Sequence, residues 1–258
     1  MMGFKAIFKK QIKVFAKSPE VLIQFAIFPF LAYIITVLID FEAMAAGMEA
    51  LDGMTEELGK MIQEMMAGTM PNMVTMQAVL FAGMALIPTV AGFISEDIEK
   101  KRLRFLMMAG VRPAPYLLGV GSVVAIVAFV STVAFALVGE FGGVDFWIFM
   151  GAMMSGVAGS IMLGATIGIL TKNQQTSTAL AMPAALVFGF LPMMAQFSDG
   201  LARWLQPFYT QQLNVIADRL NGLPVDMELW QSFAIMWANV IVLGILFTVV
   251  YRAKGLKD

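Results

Sequence analysis

Six apolar runs, each about as long as a bilayer is thick, constrain this chain more than any motif in it. They lie near residues 21–39, 74–95, 115–138, 146–171, 176–197 and 230–251. A helix rises 1.5 Å per residue, so about 20 residues cross the hydrocarbon layer. One soluble core could not absorb all six, because 59% of the 258 residues are hydrophobic and the mean hydropathy is +0.80. Inside hydrocarbon every backbone N–H and C=O needs an internal partner, so runs of this length are predicted to be helices. The expected fold is an all-α membrane protein with six transmembrane helices. The fourth run is long enough to tilt or to continue past the membrane.

The charges sort by side. Lys5, Lys9, Lys10, Lys13 and Lys17 precede the first run, and Lys100, Lys101, Arg102, Arg104 and Arg112 follow the second. Lys172 follows the fourth, and Arg252, Lys254 and Lys257 close the chain, so 14 of the 17 basic residues share one side. The other loops hold Lys60, Arg203 and Arg219 together with 13 of the 18 acids. The positive-inside rule then places both termini in the cytoplasm. The resulting layout is an amphipathic interfacial helix over 1–20, a six-span domain over 21–251 and a cytoplasmic tail over 252–258. The domain carries a cytoplasmic loop at 96–114 and extracytoplasmic loops at 40–73 and 198–229.

In the first segment Phe4, Ile7, Phe8, Ile12 and Phe15 recur at helical spacing among the lysines. Such a helix lies in the interface with its lysines toward anionic headgroups, making membrane lipid a partner. A signal peptide is the competing reading, since Ala43-Met44-Ala45 resembles a cleavage site. Its apolar core, however, would be 19 residues long, against roughly 7–15 in a signal sequence. In the first outer loop Met54, Leu58, Met61, Ile62 and Met65 form one helical stripe. It suits packing on the membrane or on another subunit better than a pliable substrate surface or a soft-metal site. The second outer loop contains Leu201–Phe208 and Gln212–Leu220, each with an apolar face and too short to span. They read as re-entrant helices, tolerable where protein buries them. Ser155/Gly159 and Gly164/Gly168 offer small-residue faces for close helix packing. Pro29, Pro88, Pro183 and Pro192 sit within runs, where neighbours can satisfy the freed carbonyls.

The densest charge lies at Glu96–Arg112, with eight charged residues in seventeen. A short helix there leaves Lys100, Lys101, Arg102 and Arg104 wet, while Ile98, Leu103, Phe105, Leu106 and Met108 need cover. That cover is either a separate protein subunit or the membrane surface, with Phe105 and Leu106 dipped into lipid.

Several functions are excluded or disfavoured. The chain has neither cysteine nor histidine, which removes disulfides, thiolate metal sites and histidine-based membrane catalysis. No Gly-x-x-x-x-Gly-Lys-Ser/Thr loop is present to cradle phosphates. No cofactor, metal or nucleic-acid partner is therefore expected for the chain itself. No charged residue falls well inside any run, and the halves show no convincing repeat, whereas ion-coupled transporters usually show both features. A secondary transporter or channel, or a non-transport membrane protein such as an immunity or regulatory subunit, remains as an alternative.

Three motifs in order resemble one family. Ile94-Ser-Glu-Asp-Ile-Glu99 with Leu103, Phe105-Leu106, Gly110-Val-Arg-Pro113 and Tyr116-Leu-Leu-Gly119 is similar to a first cytoplasmic loop. Lys172-Asn-Gln-Gln-Thr-Ser177 is similar to the second, and Leu201–Phe208 through Ala217-Asp-Arg219 to a re-entrant outer segment. Over nearly its whole length the chain resembles the permease subunit of an ABC exporter, in the ABC type-2 family. Arg102 stands where that family often has Thr, and Val120 where Lys or Arg often follows Leu-Gly. The resemblance implies that the loop after the second span is a coupling helix docked on a separate ATP-binding subunit, which carries the ATP and magnesium. It implies that Glu96, Asp97 and Glu99 fix this helix by polar contacts, with Lys100 and Arg104 beside them, and that Phe105 and Leu106 fill the partner's groove. It also implies a second permease copy, identical or related, joined through spans two and five. Thr75, Gln77, Thr89 and Ser177 are then candidates for the path or the dimer interface, although such residues often bond only to their own helix. A multi-pass location in a prokaryotic plasma membrane is expected.

Overall fold

The computed structural model describes residues 2–38, 73–195 and 198–255, and among them there is no strand. Helix α1 (Met2–Ala16) precedes α2 (Pro19–Leu38), α3 (Met73–Glu99) and the short α4 (Arg102–Met108). Next come α5 (Pro113–Val138), α6 (Gly143–Leu170) and α7 (Gln174–Met194). Two short helices, α8 (Asp199–Leu205) and α9 (Tyr209–Leu220), lead to α10 (Leu229–Gly255). Helices α2, α3, α5, α6, α7 and α10 are long and apolar enough to cross a membrane. They coincide with the six apolar runs, with ends shifted by no more than four residues. The methionine stripe from Met54 to Met65 lies outside the described residues.

The helix starts follow local chemistry. Pro19 and Pro113 open α2 and α5, where the missing N–H has no intrahelical acceptor to lose. Asn173 caps α7, its Oδ1 accepting the Thr176 N–H at 2.8 Å.

Helices α3 and α6 form the buried centre. Gly164 and Gly168 make their contact possible, because a Cβ at either position would come within 2.6 and 2.7 Å of the Ile87 and Ala91 carbonyl oxygens. The two backbones touch, and dispersion over that seam replaces a hydrophobic drive that lipid cannot supply. Around this pair, α5 and α10 flank α6, α7 packs on α3, and α2 packs on α5. Large apolar side chains such as Phe30, Ile241 and Val249 remain on the outside.

The middle of α3 departs from α geometry, forming a π-helical turn over Phe81–Ala85. Pro88 has no N–H to offer the Met84 carbonyl four residues before it. Gln24 of α2 supplies one instead, its Nε2 donating to Met84 O at 3.4 Å. The Thr89 hydroxyl donates to Ala85 O at 2.7 Å, and the Ser160 hydroxyl of α6 to Ala82 O at 2.6 Å. Tyr209 of α9 lies 3.0 Å from Ser160 Oγ, and with the Ser160 hydrogen given to Ala82 O the phenol is left as the donor of that contact. Helix α9 itself lies against α6, α7 and α10.

Helix α1 differs from its sequence reading in register. Its buried stripe is Ile7, Gln11 and Phe15, while Ile12 is exposed. The helix packs along α5 and touches α2, and a protein groove selects an i, i+4, i+8 stripe narrower than the face a membrane surface would cover.

Candidate functional site

The charge-dense stretch folds as two helices with a sharp break. Glu96, Asp97 and Glu99 belong to the last turn of α3, so that span runs four residues past its expected end. Lys100 closes the helix by donating its N–H to Glu96 O at 3.0 Å. Lys101 then adopts a left-handed conformation at φ 56°, which turns the chain into α4. At the other end of α4, Gly110 N–H donates to Met107 O at 2.9 Å and Val111 N–H to Leu106 O at 3.0 Å. This paired pattern ends a helix on a residue with positive φ, and Gly110 supplies it at +75°. Pro113 then starts α5. The segment Gly110-Val-Arg-Pro113 is thus a stop followed by a start.

Three carboxylates anchor this corner. Asp97 is 1% exposed; the Tyr116 hydroxyl of α5 donates to its Oδ2 at 3.2 Å, and the Lys10 ammonium of α1 pairs with its Oδ1. The Arg102 guanidinium stands 3.7 Å from the same oxygen. Glu96 accepts from Lys100 at 2.6 Å and from Arg102 at 3.3 Å. The Glu99 Oε2 accepts the Gln174 N–H at 2.9 Å, where a negative charge meets the positive end of α7. Behind them, the Tyr251 hydroxyl of α10 donates to Val111 O at 3.0 Å, and the Lys254 ammonium to Thr171 O at 2.9 Å. The end of α3 is therefore tied to α1, α5 and α7, and the loop after α4 to α10.

On α4 only Leu103 is fully buried and Leu106 is half-buried. Phe105 and Met108, one helical turn apart, are 64% and 67% exposed. Lys100, Lys101 and Arg104 are exposed around them. The result is an apolar pair on a short helix that is held from behind.

The proposed path residues do not converge. Thr75 is buried and accepts from Asn221 Nδ2 at 3.2 Å. Thr89 is buried in the π-turn network, Ser177 is buried near the start of α7, and Gln77 is half-buried. Sequence reasoning missed Lys10, Tyr116, Tyr251 and Gln174 as members of the corner. The sequence pattern groups Lys10 with lysines that face headgroups, whereas its amine reaches Asp97. A partial signal exists for Asp97, which shares a helical face with the buried Val90 and Ile94 at offsets of seven and three.

The comparisons with known proteins bear on the family of the chain and not on the contacts of this corner. No curated protein matches the chain. The family model described as ABC-2 family transporter protein matches residues 54–249, which include all of α3 to α9 and most of α10. The chain is a multi-pass membrane permease and belongs to the ABC-2 transporter family.

Proposed function

We propose that this permease is the membrane-spanning subunit of an ATP-driven exporter, and that α4 is the face on which its ATP-binding subunit docks. The observation that carries the proposal is the exposed Phe105–Met108 pair on a helix braced by the Asp97 corner. A large apolar side chain held outside the membrane core is costly in water, and a partner's groove that covers it recovers about 1.5–3 kcal/mol. The Glu96, Asp97 and Glu99 contacts fix the end of α3, so a push on α4 is passed to α1, α5 and α7 rather than absorbed by the loop. The ATP and magnesium belong to the partner, and this chain contributes no chemistry of its own. A second permease copy completes the pathway, with the exposed side chains of α7, such as Leu186 and Phe190, as part of its contact surface. The expected setting is a prokaryotic plasma membrane, and the distribution of lysine and arginine supports an orientation with both termini in the cytoplasm.

The test is co-purification of the full-length chain from its native membrane, beside Phe105→Glu and Phe105→Leu. An ATP-binding subunit retained by the wild type and by Phe105→Leu, and lost from Phe105→Glu, is the expected result. Equal recovery with all three would refute docking through α4. Transport that survives ATP depletion on an ion gradient would return the secondary-transporter reading.

A further inference from the structure

A cleft of about 730 Å³ opens between α4, the start of α5 and the end of α10. Five of its wall residues are cationic, namely Lys101, Arg104, Arg112, Arg252 and Lys254, and none is acidic. Lys254 gives a hydrogen bond to Thr171 O, so the anion-facing charge is argued from Lys101, Arg112 and Arg252, all exposed. The floor is apolar, with Leu103, Met107 and Tyr251 among its residues. The cleft sits where two membrane-spanning helices end, so it faces the level of lipid headgroups rather than open water. Val249 lies one turn deeper than Arg252 on the same face of α10, and it is exposed. A chain bound here can place its charge among the arginines and run its tail along α10.

The cleft adjoins the face proposed for the motor subunit and shares Met108 with it, but not Phe105. At about 100° per residue, Leu103, Arg104, Met107 and Met108 lie on one half of α4, and Arg102, Phe105 and Leu106 on the other. Cleft and docking pair share the helix but present different sides, apart from Met108 at their border.

We propose that this cleft binds the phosphate-bearing headgroup of an anionic membrane lipid, which tethers α4 to the ends of α5 and α10. The ligand chemistry is a phosphate anion attached to an acyl chain, matching guanidiniums above an apolar floor. The inference uses the membrane placement given above, but it needs neither ATP nor the partner subunit.

The experiment places the full-length chain in nanodiscs of phosphatidylcholine containing a minor fraction of phosphatidylglycerol. Lipid retained after detergent extraction is then quantified by mass spectrometry. The wild type is expected to retain phosphatidylglycerol preferentially. Arg112→Gln/Arg252→Gln should lose about tenfold or more of that preference, since each interfacial cation near the surface contributes roughly 1 kcal/mol. Arg112→Lys/Arg252→Lys should keep most of it, and an unchanged thermal unfolding profile shows that the glutamine variant is folded. Lys17→Gln/Lys172→Gln removes the same charge outside the cleft and should leave the preference in place. Three results would overturn the proposal. One is an equal loss in both glutamine pairs, which marks a diffuse surface attraction. Another is displacement of the lipid by millimolar inorganic phosphate, which marks a site for the free anion. The third is no lipid preference in the wild type while Arg112 crosslinks to an acidic segment of the ATP-binding subunit, which makes the cleft a protein groove. Loss of ATPase co-purification in the Phe105→Glu variant would leave all these readouts unchanged, so the two proposals fail separately.

Discussion

Replacing Asp97 perturbs the corner that holds α4, and the cost can be bounded from the geometry. Removing one partner of a fully buried ion pair costs about 3–5 kcal/mol, whereas an exposed pair contributes only about 0–1 kcal/mol. The Asp97 side chain is 2% exposed but that of Lys10 is 32% exposed, so the pair lies between these limits. Asp97→Ala also leaves the buried Tyr116 hydroxyl without its acceptor. A loss of about 2–3 kcal/mol is expected, or roughly 4–12 °C in Tm for a chain of this size. Asp97→Asn keeps an acceptor for Tyr116 and should cost about half as much. Lys10→Met leaves the carboxylate with Tyr116 and with Arg102 at 3.7 Å, and should fall near the asparagine variant. The decisive quantity is the coupling in a Lys10→Met/Asp97→Asn cycle, read by thermal unfolding in detergent and expected at about 1–2 kcal/mol. Additivity within about 0.5 kcal/mol would refute the ion pair as a structural brace. Limited proteolysis supplies an independent readout, since a released α4 should be cut between Lys100 and Arg112 in the Asp97 variants and not in the wild type.

Other positions give sharper contrasts. A Cβ at Gly83 would fall 2.3 Å from Gly189 Cα, so Gly83→Ala should destabilise the crossing of α3 and α7 by about 1–3 kcal/mol. Gly92→Ala, on the same helix with nothing within 4 Å, should be neutral or raise stability by up to about 1 kcal/mol, and equal Tm shifts for the two would contradict the packing. Gly110→Ala places a side chain at φ +75° and should cost about 1 kcal/mol in thermal unfolding, with more fraying of α4 by hydrogen exchange. Burial raises the Asp218 carboxyl from 3.8 to about 6, so the folded state holds this proton more tightly than the unfolded one. Its effect on stability is therefore most favourable below about pH 4, declines as pH rises through 6, and is flat above. Asp218→Asn should remove that decline and gain about 1–2 kcal/mol at pH 7, seen as a wild-type-minus-variant Tm difference that disappears near pH 4.

The spans were legible because hydrocarbon leaves the backbone few alternatives. An apolar run of sufficient length, bounded by charge, must be a helix, and Pro19, Pro113 and Asn173 mark where three of them start. Gly164 and Gly168 announced the closest helix contact for a similar reason, since only a small residue lets two backbones meet. The π-turn was not legible. Pro88 signals a freed carbonyl, but not that Gln24, 60 residues from Met84 in sequence, would satisfy it. The site was legible only in outline, because the charge block marks a wet corner without naming which of its charges are dry. Asp97 stands between Glu96 and Ile98 in an apparently solvated run, and the helical phase of α3 puts it alone among the acids on the buried face.

That phase connects the fold to the proposed function. A carboxylate buried at the end of a span is stable only if cations and donors reach it, and those described for Asp97 come from outside its own turn. Lys100, four residues after Glu96, serves Glu96 instead. The groups that reach Asp97 come from α1, from α5 and from the first turn of α4. Burying one charge in α3 thus obliges three other segments to converge on it. The same convergence holds Phe105 outward, because α4 can bury Leu103 only by turning its opposite side to the solvent. A motor subunit that grips Phe105 would then act on a corner where α1, α3 and α5 share one ion-paired centre, and α7 follows through Glu99. Neutralising Asp97 should uncouple the grip from the spans before it abolishes the grip itself.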